Sequence, residues 1–261
     1  MSFDRVATIY DETRALPPDV MERIARRVVA ATHAAPATRF LEIGVGTGRI
    51  ALPFVGRGYP YVGVDISTLM MDRLRSKLPP RAQNVTLLEG EATNLPVEDA
   101  SVDVVLTVHV LHLIPDWKTA LQEARRVLRP DGYFVEGHDW SVPGDPGDAI
   151  RSQWRALVEQ TGTKLRRDHG TARAVEAELT RQGCRTAVYR VAQWEQELRP
   201  IRLLDEQRNR TYSLSWDVPE DVLKAVHEKM VVWARETYGD IERPLRSRYE
   251  FMLSVSRFPE D

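Results

Sequence analysis

The sequence predicts an α/β fold, in which a doubly wound and mostly parallel sheet is covered by helices. Two observations predict it. Near-continuous apolar runs of strand length alternate with helix-like stretches up to about residue 140, a pattern typical of parallel strands that are buried on both faces. A glycine-rich turn, LEIGVGTGRI at 41–50, then lies where the first strand passes into a helix. In such sheets, ligands bind at the carboxyl ends of the strands.

Local signals predict the individual elements. Ser67 is placed to cap a helix that ends before Pro79, and Asp116 opens the amphipathic helix WKTALQEARRVL, which the turn RPDG closes. Helices are also predicted in AIRSQWRALVEQTG and TARAVEAELTRQG, and a partly helical insertion at about 199–246. The predicted strands lie at 39–45, 61–65, 85–90, 102–110, 133–139, 184–194 and 249–258.

Composition limits the classes of partner. The 261 residues are 43% hydrophobic, which suits one large domain or a domain with an embedded cap. The formal net charge is −2, so the charge balance favours neither nucleic acid nor an anionic membrane as a partner. No apolar run approaches the roughly 18 residues of a membrane helix, and the start of the chain does not have the pattern of a secretory signal. We therefore expect a cytoplasmic protein, with no expectation for its oligomeric state.

The glycine spacing separates this turn from two common phosphate-binding loops. A dinucleotide-binding turn has G-x-G-x-x-G, but here Arg49 occupies the position of the third glycine. A triphosphate loop requires a lysine after its last glycine, and Arg49 follows Gly48 instead. The pattern that the residues do form is E-x-G-x-G-x-G, from Glu42 to Gly48. From the turn alone, a tight strand–helix connection with no ligand remains open.

With its neighbours, this pattern resembles the class I S-adenosylmethionine-dependent methyltransferases of the small-molecule group. Four further blocks follow in the expected order: YVGVDIS, EGEATNLPVEDASVDVV, VHVLHLIPDW and EARRVLRPDGYFV. The resemblance covers about 38–139 and implies a Rossmann-like, seven-stranded sheet in a single domain. It implies core segments at about 38–139, 170–198 and 247–258, and cap or lid segments at about 1–30, 140–169 and 199–246.

The resemblance implies S-adenosyl-L-methionine as the cofactor and S-adenosyl-L-homocysteine as the product. Asp65 would then accept hydrogen bonds from both ribose hydroxyls, and Ile66 and Met70 would pack against the adenine. Glu91, with the N–H of Ala92, would read the adenine edge, although Glu91 is one methylene longer than the usual aspartate. The alternatives are a helix-terminal acid for Asp65 and ordinary core packing for the two apolar residues.

The methionine moiety would lie beside the glycine turn. The resemblance implies contacts from Gly44, Gly46 and Gly48, with Glu42 helping to hold the amino-acid head and the backbone at Val108 accepting from its ammonium group.

The segment YDETR near the start of the chain would fold over the cofactor. Tyr10 and Arg14 are four residues apart and share a face if the segment is helical, and Arg14 would pair with the methionine carboxylate. The alternative is a surface helix with an Asp11–Arg14 pair.

Methyl transfer is an in-line displacement to an O, N, S or C nucleophile of a small-molecule acceptor, and it needs a base only if the nucleophile must lose a proton. His109 and His112 follow the fourth strand and are the candidate bases; structural roles are the alternative. His138 and Asp139 end the fifth strand and are candidates for orienting the acceptor. No carboxylate–histidine spacing predicts a metal site.

Three other functions remain open. Methylation of RNA or protein is disfavoured by the charge and by the absence of an N-P-P-Y-type segment after the fourth strand. A non-catalytic cofactor-binding module would contain the same binding blocks. A nicotinamide-dependent dehydrogenase is disfavoured by the glycine spacing.

Overall fold

The sheet has the topology that the sequence predicts. The computed structural model describes residues 3–4, 7–80, 82–165 and 170–259. Within them, the strands β1 to β7 are Phe40–Ile43, Tyr61–Asp65, Val85–Glu89, Val102–Val108, Leu128–Ser141, Arg185–Leu198 and Leu245–Arg257. They form one seven-stranded sheet in the order β3-β2-β1-β4-β5-β7-β6, and β1 pairs in parallel with both β2 and β4. The predicted α/β fold is confirmed.

Helices alternate with these strands. The helices α1 to α9 are Tyr10–Arg14, Pro18–Ala31, Ala51–Gly56, Thr68–Lys77, Trp117–Val127, Pro146–Gln160, Ala172–Arg181, Pro200–Arg208 and Glu220–Tyr238. Both predicted caps are present. Ser67 Oγ accepts from the N–H of Met70 at 3.1 Å, and Asp116 accepts from the hydroxyl of Thr119 at 2.8 Å. These caps fix the starts of α4 and α5, the helices that follow β2 and β4.

Strand β1 is buried on both faces, which explains its continuous apolar sequence. The ring of Phe40 contacts those of Phe54 and Tyr61, with centroids 4.8 and 6.2 Å away. Leu41 and Ile43 point to the other face and belong to the core that α5 and α7 cover. A strand between two apolar layers has no polar face to alternate with.

The chain divides into two compact units. The first unit consists of Met1–His138, Asp168–Ala192 and Phe251–Asp261, and the second of Asp139–Arg167 and Gln193–Glu250. The core of the second unit is built from α6, α8 and α9, with Trp154, Leu204 and Met230 among its buried residues. Strands β5, β6 and β7 each contribute residues to both units.

The strand boundaries differ most from the prediction at the start of β5, the end of β6 and the start of β7. Strand β5 begins at Leu128 rather than at 133, because Leu128 already pairs with Val102. The next residue to pair is Tyr133, with Val104, so the RPDG turn is an irregularity inside the strand and not its start. Strand β6 continues past its predicted end through residues 195–198, and β7 begins before its predicted start, with residues 245–248. These two segments contain several charged residues, are mostly exposed and lack an apolar alternation.

Candidate functional site

A cavity of about 390 Å³ lies at the carboxyl ends of β1, β2 and β4, within the first unit. Its size is that of a typical small-molecule pocket. Ten residues that the sequence analysis selected line it: Tyr10, Gly44, Gly46, Asp65, Ile66, Met70, Glu91, Ala92, Val108 and His109. Six do not: Arg14, Glu42, Gly48, His112, His138 and Asp139. The structure therefore brings most of the selected residues together around one space.

Asp65 ends β2 and its carboxylate is fixed by the backbone. Oδ2 accepts from the N–H of Gly46 at 2.8 Å, and Oδ1 accepts from the N–H of Ser67 at 2.8 Å. Burial raises the pKa of Asp65, and these backbone bonds oppose the rise. Since an ionised carboxylate offers about four acceptor sites, the Asp65 carboxylate keeps capacity for a ligand hydroxyl.

Four N–H groups of the glycine turn are already used inside the protein. Those of Gly44 and Val45 donate to the carbonyl of Val64 at 2.7 and 3.1 Å, and that of Gly48 donates to the carbonyl of Val45 at 3.0 Å. The N–H of Gly46 donates to Asp65. These amides are therefore not a phosphate cradle, in agreement with the spacing argument.

The three glycines are needed for different reasons, although all have positive φ. A Cβ at Gly44 would lie 2.3 Å from Val110 Cγ2, and one at Gly48 would lie 2.2 Å from Leu74 Cδ1. A Cβ at Gly46 would meet nothing closer than Met70 Cε at 3.4 Å. Gly44 and Gly48 thus allow close packing within the protein, whereas Gly46 leaves open space at the cavity wall.

The N-terminal segment, residues 3–4 and 7–15, closes one side of the cavity. Phe3 and Tyr10 line the space. Asp11 accepts from Thr47 Oγ1 at 2.6 Å and pairs with Lys77 Nζ at 2.6 Å, which ties α1 to the glycine turn and to α4. The carboxylate of Asp11 is thus engaged by Thr47 and Lys77.

Arg14 lies outside the cavity wall, behind the aromatic side chains of the same segment. Its guanidinium carbon is 5.0 Å from the centroid of the Tyr10 ring and 5.8 Å from that of Phe3. Such cation–π contacts hold a guanidinium against an aromatic ring. In this structure Arg14 therefore supports the two rings that line the cavity.

Glu42 lies beneath the turn, in the core rather than at the cavity wall. Its side chain is 2% exposed and accepts a hydrogen bond from the hydroxyl of Tyr61 at 2.7 Å. Burial raises the pKa of Glu42 to about 8; the Tyr61 bond and Arg49 oppose this rise, and Asp65 adds to it. The carboxyl group is therefore mainly protonated at neutral pH, and it supports β1 next to β2.

The two candidate histidines occupy different positions. His109 lines the cavity and has a φ of 55°, a left-handed conformation that is uncommon for residues other than glycine. His112 lies in the short 3₁₀ helix Leu111–Leu113 and outside the lining. Their ring centroids are 6.2 Å apart and their planes nearly perpendicular. His109 is thus the histidine that can contact a ligand in the cavity.

Comparisons with known proteins decide the family. A family model described as a methyltransferase domain matches residues 41–135. An uncharacterized methyltransferase of Mycobacterium tuberculosis is 32% identical over 217 residues, which cover 82% of this chain and 79% of that protein. The chain belongs to the class I S-adenosylmethionine-dependent methyltransferases. It is an enzyme. The structure of a putative methyltransferase of Bacillus halodurans has the same fold, with a TM-score of 0.61.

The likenesses extend over different shares of the chain. The Bacillus halodurans structure is 14% identical, and the match covers 90% of this methyltransferase and 98% of that chain. A demethylmenaquinone methyltransferase of Streptomyces avermitilis is 38% identical over 134 residues, 51% of this chain and 56% of that protein. The matched family model, at residues 41–135, spans the glycine turn and the strands that follow it.

The cavity of this methyltransferase is acidic. Asp65, Glu91 and Asp116 line it, and no lysine or arginine is among the lining residues that the structure describes. Such a wall favours a ligand that carries positive charge and opposes one that carries phosphate groups. These acidic side chains therefore fit a positively charged sulfonium nucleoside with hydroxyl groups better than they fit a dinucleotide.

Sequence reasoning missed several lining residues. Phe3 was not selected, and Leu113 to Asp116 were noted only as part of a motif and as the cap of α5, yet all of them line the cavity. A signal existed for the second group, because VHVLHLIPDW follows β4 at the ligand-binding end of the sheet. Phe3 gave no such signal, since it reaches the cavity only through the fold of the N-terminal segment.

No helix among the described residues is long and apolar enough to cross a membrane. Within the same part of the chain, no three His, Cys, Asp or Glu side chains are grouped so that they could hold a metal ion.

Proposed function

We propose that this methyltransferase binds S-adenosyl-L-methionine in the cavity of the first unit and transfers its methyl group to a small-molecule acceptor. The observation that carries the proposal is the position of Asp65. Its carboxylate is held by the backbone of the glycine turn on one side and of α4 on the other, and it lines a cavity of about 390 Å³. A fixed acceptor of this kind suits a vicinal diol.

The remaining lining residues supply complementary contacts. Ile66 and Met70 offer apolar surface for the adenine ring, and Glu91 with the N–H of Ala92 offers polar groups for its edge. Gly46 gives the methionine moiety access to the turn because no Cβ fills that space. In this proposal Glu42 and Gly48 act by shaping β1 and the turn rather than by touching the cofactor.

When bound, the cofactor supplies a methyl group on a positively charged sulfur. The acidic wall stabilises that positive charge, and Phe3 and Tyr10 exclude water from one side of the cavity. The backbone at Val108 and the side chain of His109 lie at the end of β4. His109 is the residue that we assign to remove a proton from the acceptor, if the nucleophile carries one.

A small-molecule acceptor is supported by the relatives and by the charge. One relative is named for demethylmenaquinone, and the formal net charge of −2 gives no general attraction for nucleic acid. Methylation of RNA or protein, and cofactor binding without catalysis, are the alternatives that the experiment below separates.

Calorimetry with S-adenosylmethionine and S-adenosylhomocysteine tests the first step. We expect one site per chain for each ligand, and no heat of binding with NADH. Transfer of a labelled methyl group to a mixture of small metabolites, to RNA and to protein then tests the second step. Binding followed by transfer to RNA or protein alone, or by no transfer at all, would refute the proposed acceptor class.

A further inference from the structure

The second unit contains a partly buried arginine whose charge has no carboxylate partner. Arg151 lies on α6, and its Nη1 donates to Ser141 Oγ at 2.6 Å and to the carbonyl of Gly147 at 3.0 Å. The phenol groups of Tyr212 and Tyr249 lie beside its guanidinium. Arg151 forms no ion pair with any carboxylate that the structure describes. A charge that is removed from water with neutral neighbours alone is costly.

Five other arginines of the same unit, by contrast, each pair with a carboxylate. Their carboxylate partners are within ion-pair distance and leave them largely neutralised. The pairs are Arg202–Glu206, Arg208–Glu220, Arg210–Glu220, Arg246–Glu195 and Arg248–Asp145. Glu206 is linked to Arg151 through Tyr212, whose hydroxyl donates to the Glu206 carboxylate at 2.7 Å. Glu206 already pairs with Arg202.

The groups around Arg151 are short of acceptors. Ser141 Oγ accepts from Arg151, and Ser247 Oγ accepts from the N–H of Gly147 at 3.2 Å. Neither hydroxyl donates to an acceptor among the described residues, and the same holds for the hydroxyl of Tyr249. Trp194 stacks on Tyr249 with ring centroids 5.7 Å apart, and its buried Nε1–H also has no acceptor in the described part of the chain.

The close packing of these groups depends on Gly147. A Cβ at that position would lie 2.8 Å from Ser141 Oγ, 2.9 Å from Ser247 Oγ and 3.1 Å from Arg151 Nη1. Gly147 also lies in the first turn of the fifteen-residue helix α6, where the helix dipole favours negative charge. Asp145 precedes it, but Arg248 neutralises that carboxylate through hydrogen bonds to both oxygens.

We propose that Arg151, Ser141 and Tyr249 of the second unit bind an oxyanion, the carboxylate or phosphate group of a small molecule. A cation beside hydroxyl donors without acceptors is the complement of such a group. The bound oxyanion would supply both the counter-charge and the missing acceptors.

Binding of simple anions tests this site directly. The wild-type protein is titrated with succinate and, separately, with inorganic phosphate at constant ionic strength, with chloride as the balancing ion. The readout is the NMR signal of the Trp194 indole N–H, assigned with Trp194→Phe. We expect a saturable shift with succinate, phosphate or both, and the stronger of the two identifies the oxyanion. No saturable shift with either anion would overturn the proposal.

Two variants and a control locate the binding. Arg151→Gln should weaken anion affinity by about tenfold or more, the range for a hydrogen bond to a charged group. Tyr249→Phe, which keeps the ring, should weaken it by about two- to tenfold. Arg155→Gln, an exposed position one turn along α6, should leave it unchanged. Unchanged affinity in Tyr249→Phe and in every folded Arg151 variant would refute the site.

Two measurements separate this inference from the proposed function. Calorimetry on the same variants reports S-adenosylmethionine affinity, which we expect to be unchanged. If the cofactor binds and the anions do not, the oxyanion site fails alone; if the anions bind and the cofactor does not, the proposed function fails.

Discussion

The carboxylate of Asp65 is joined to the backbone of Gly46 by a hydrogen bond of 2.8 Å. This contact connects the acid that ends β2 to the turn that follows β1, across the adjacent ends of two parallel strands. It explains why the sequence places an acid and a glycine-rich turn in consecutive strand–helix units. The acid fixes the turn, and the turn fixes the orientation of the acid.

Removal of the Asp65 carboxylate should therefore weaken cofactor binding strongly. For Asp65→Ala we expect a loss of about 1.5–3 kcal/mol in the free energy of S-adenosylmethionine binding, the range for hydrogen bonds to a charged group. Calorimetry measures this loss. Asp72→Ala is the matched control, because Asp72 is an exposed acid on α4 that pairs with Arg75. Equal affinities for the wild type and Asp65→Ala would refute the ribose role.

Gly46→Ala should impair cofactor binding more than it impairs folding. The new Cβ has room in the protein alone, and the left-handed backbone costs about 1 kcal/mol of stability. The same Cβ occupies space that we assign to the methionine moiety. Gly58→Ala is the control, since Gly58 also has positive φ and a Cβ there would have no neighbour within 4 Å. Thermal unfolding should show similar losses for both variants, whereas calorimetry should show weaker binding for Gly46→Ala only.

The contact between α1 and the turn should slow release of the cofactor. Asp11→Ala removes the bonds to Thr47 and Lys77, both partly exposed, so the effect should be modest. We expect S-adenosylhomocysteine to dissociate about two- to tenfold faster, as measured by stopped-flow displacement. Asp19→Ala, which removes an exposed pair with Arg23 on α2, is the control. A dissociation rate equal to that of the control would show that the N-terminal segment does not retain the ligand.

Glu42 should make the protein less stable as the pH rises. Burial chiefly raises its pKa to about 8 in the folded state, so between about pH 4.5 and 8 the folded protein holds a proton that the unfolded chain has released. Its contribution to the free energy of unfolding then falls by about 1.4 kcal/mol per pH unit across that range. Glu42→Gln carries no such proton. Urea unfolding from pH 5 to 8 should show a weaker pH dependence for Glu42→Gln, and parallel curves for the two proteins would contradict this result.

The sequence predicted the sheet well where burial determines the residues. Phe40 to Ile43 are apolar except for Glu42 because both faces of β1 are covered, and a run of that kind is visible in the sequence. The end of β6 and the start of β7 were missed because most of their residues are exposed. The pairing of these segments also depends on partners that are distant in the chain. Leu128 was missed as the start of β5 because RPDG reads locally as a turn.

The site was predicted only as far as local patterns reach. The glycine spacing and Asp65 lie in local motifs, so they could be found. The separate roles of Gly44, Gly46 and Gly48 depend on Val110, Met70 and Leu74, which no spacing rule reveals. Arg151 gave no signal at all, since its lack of a carboxylate partner is a property of the folded second unit.

A crystal structure of the protein with S-adenosylhomocysteine tests the central claim most directly. The account predicts that the nucleoside occupies the cavity, with both ribose hydroxyls within hydrogen-bond distance of the Asp65 carboxylate and the amino-acid tail beside Gly46. A ligand bound elsewhere, or bound in the cavity with its ribose turned away from Asp65, would contradict it.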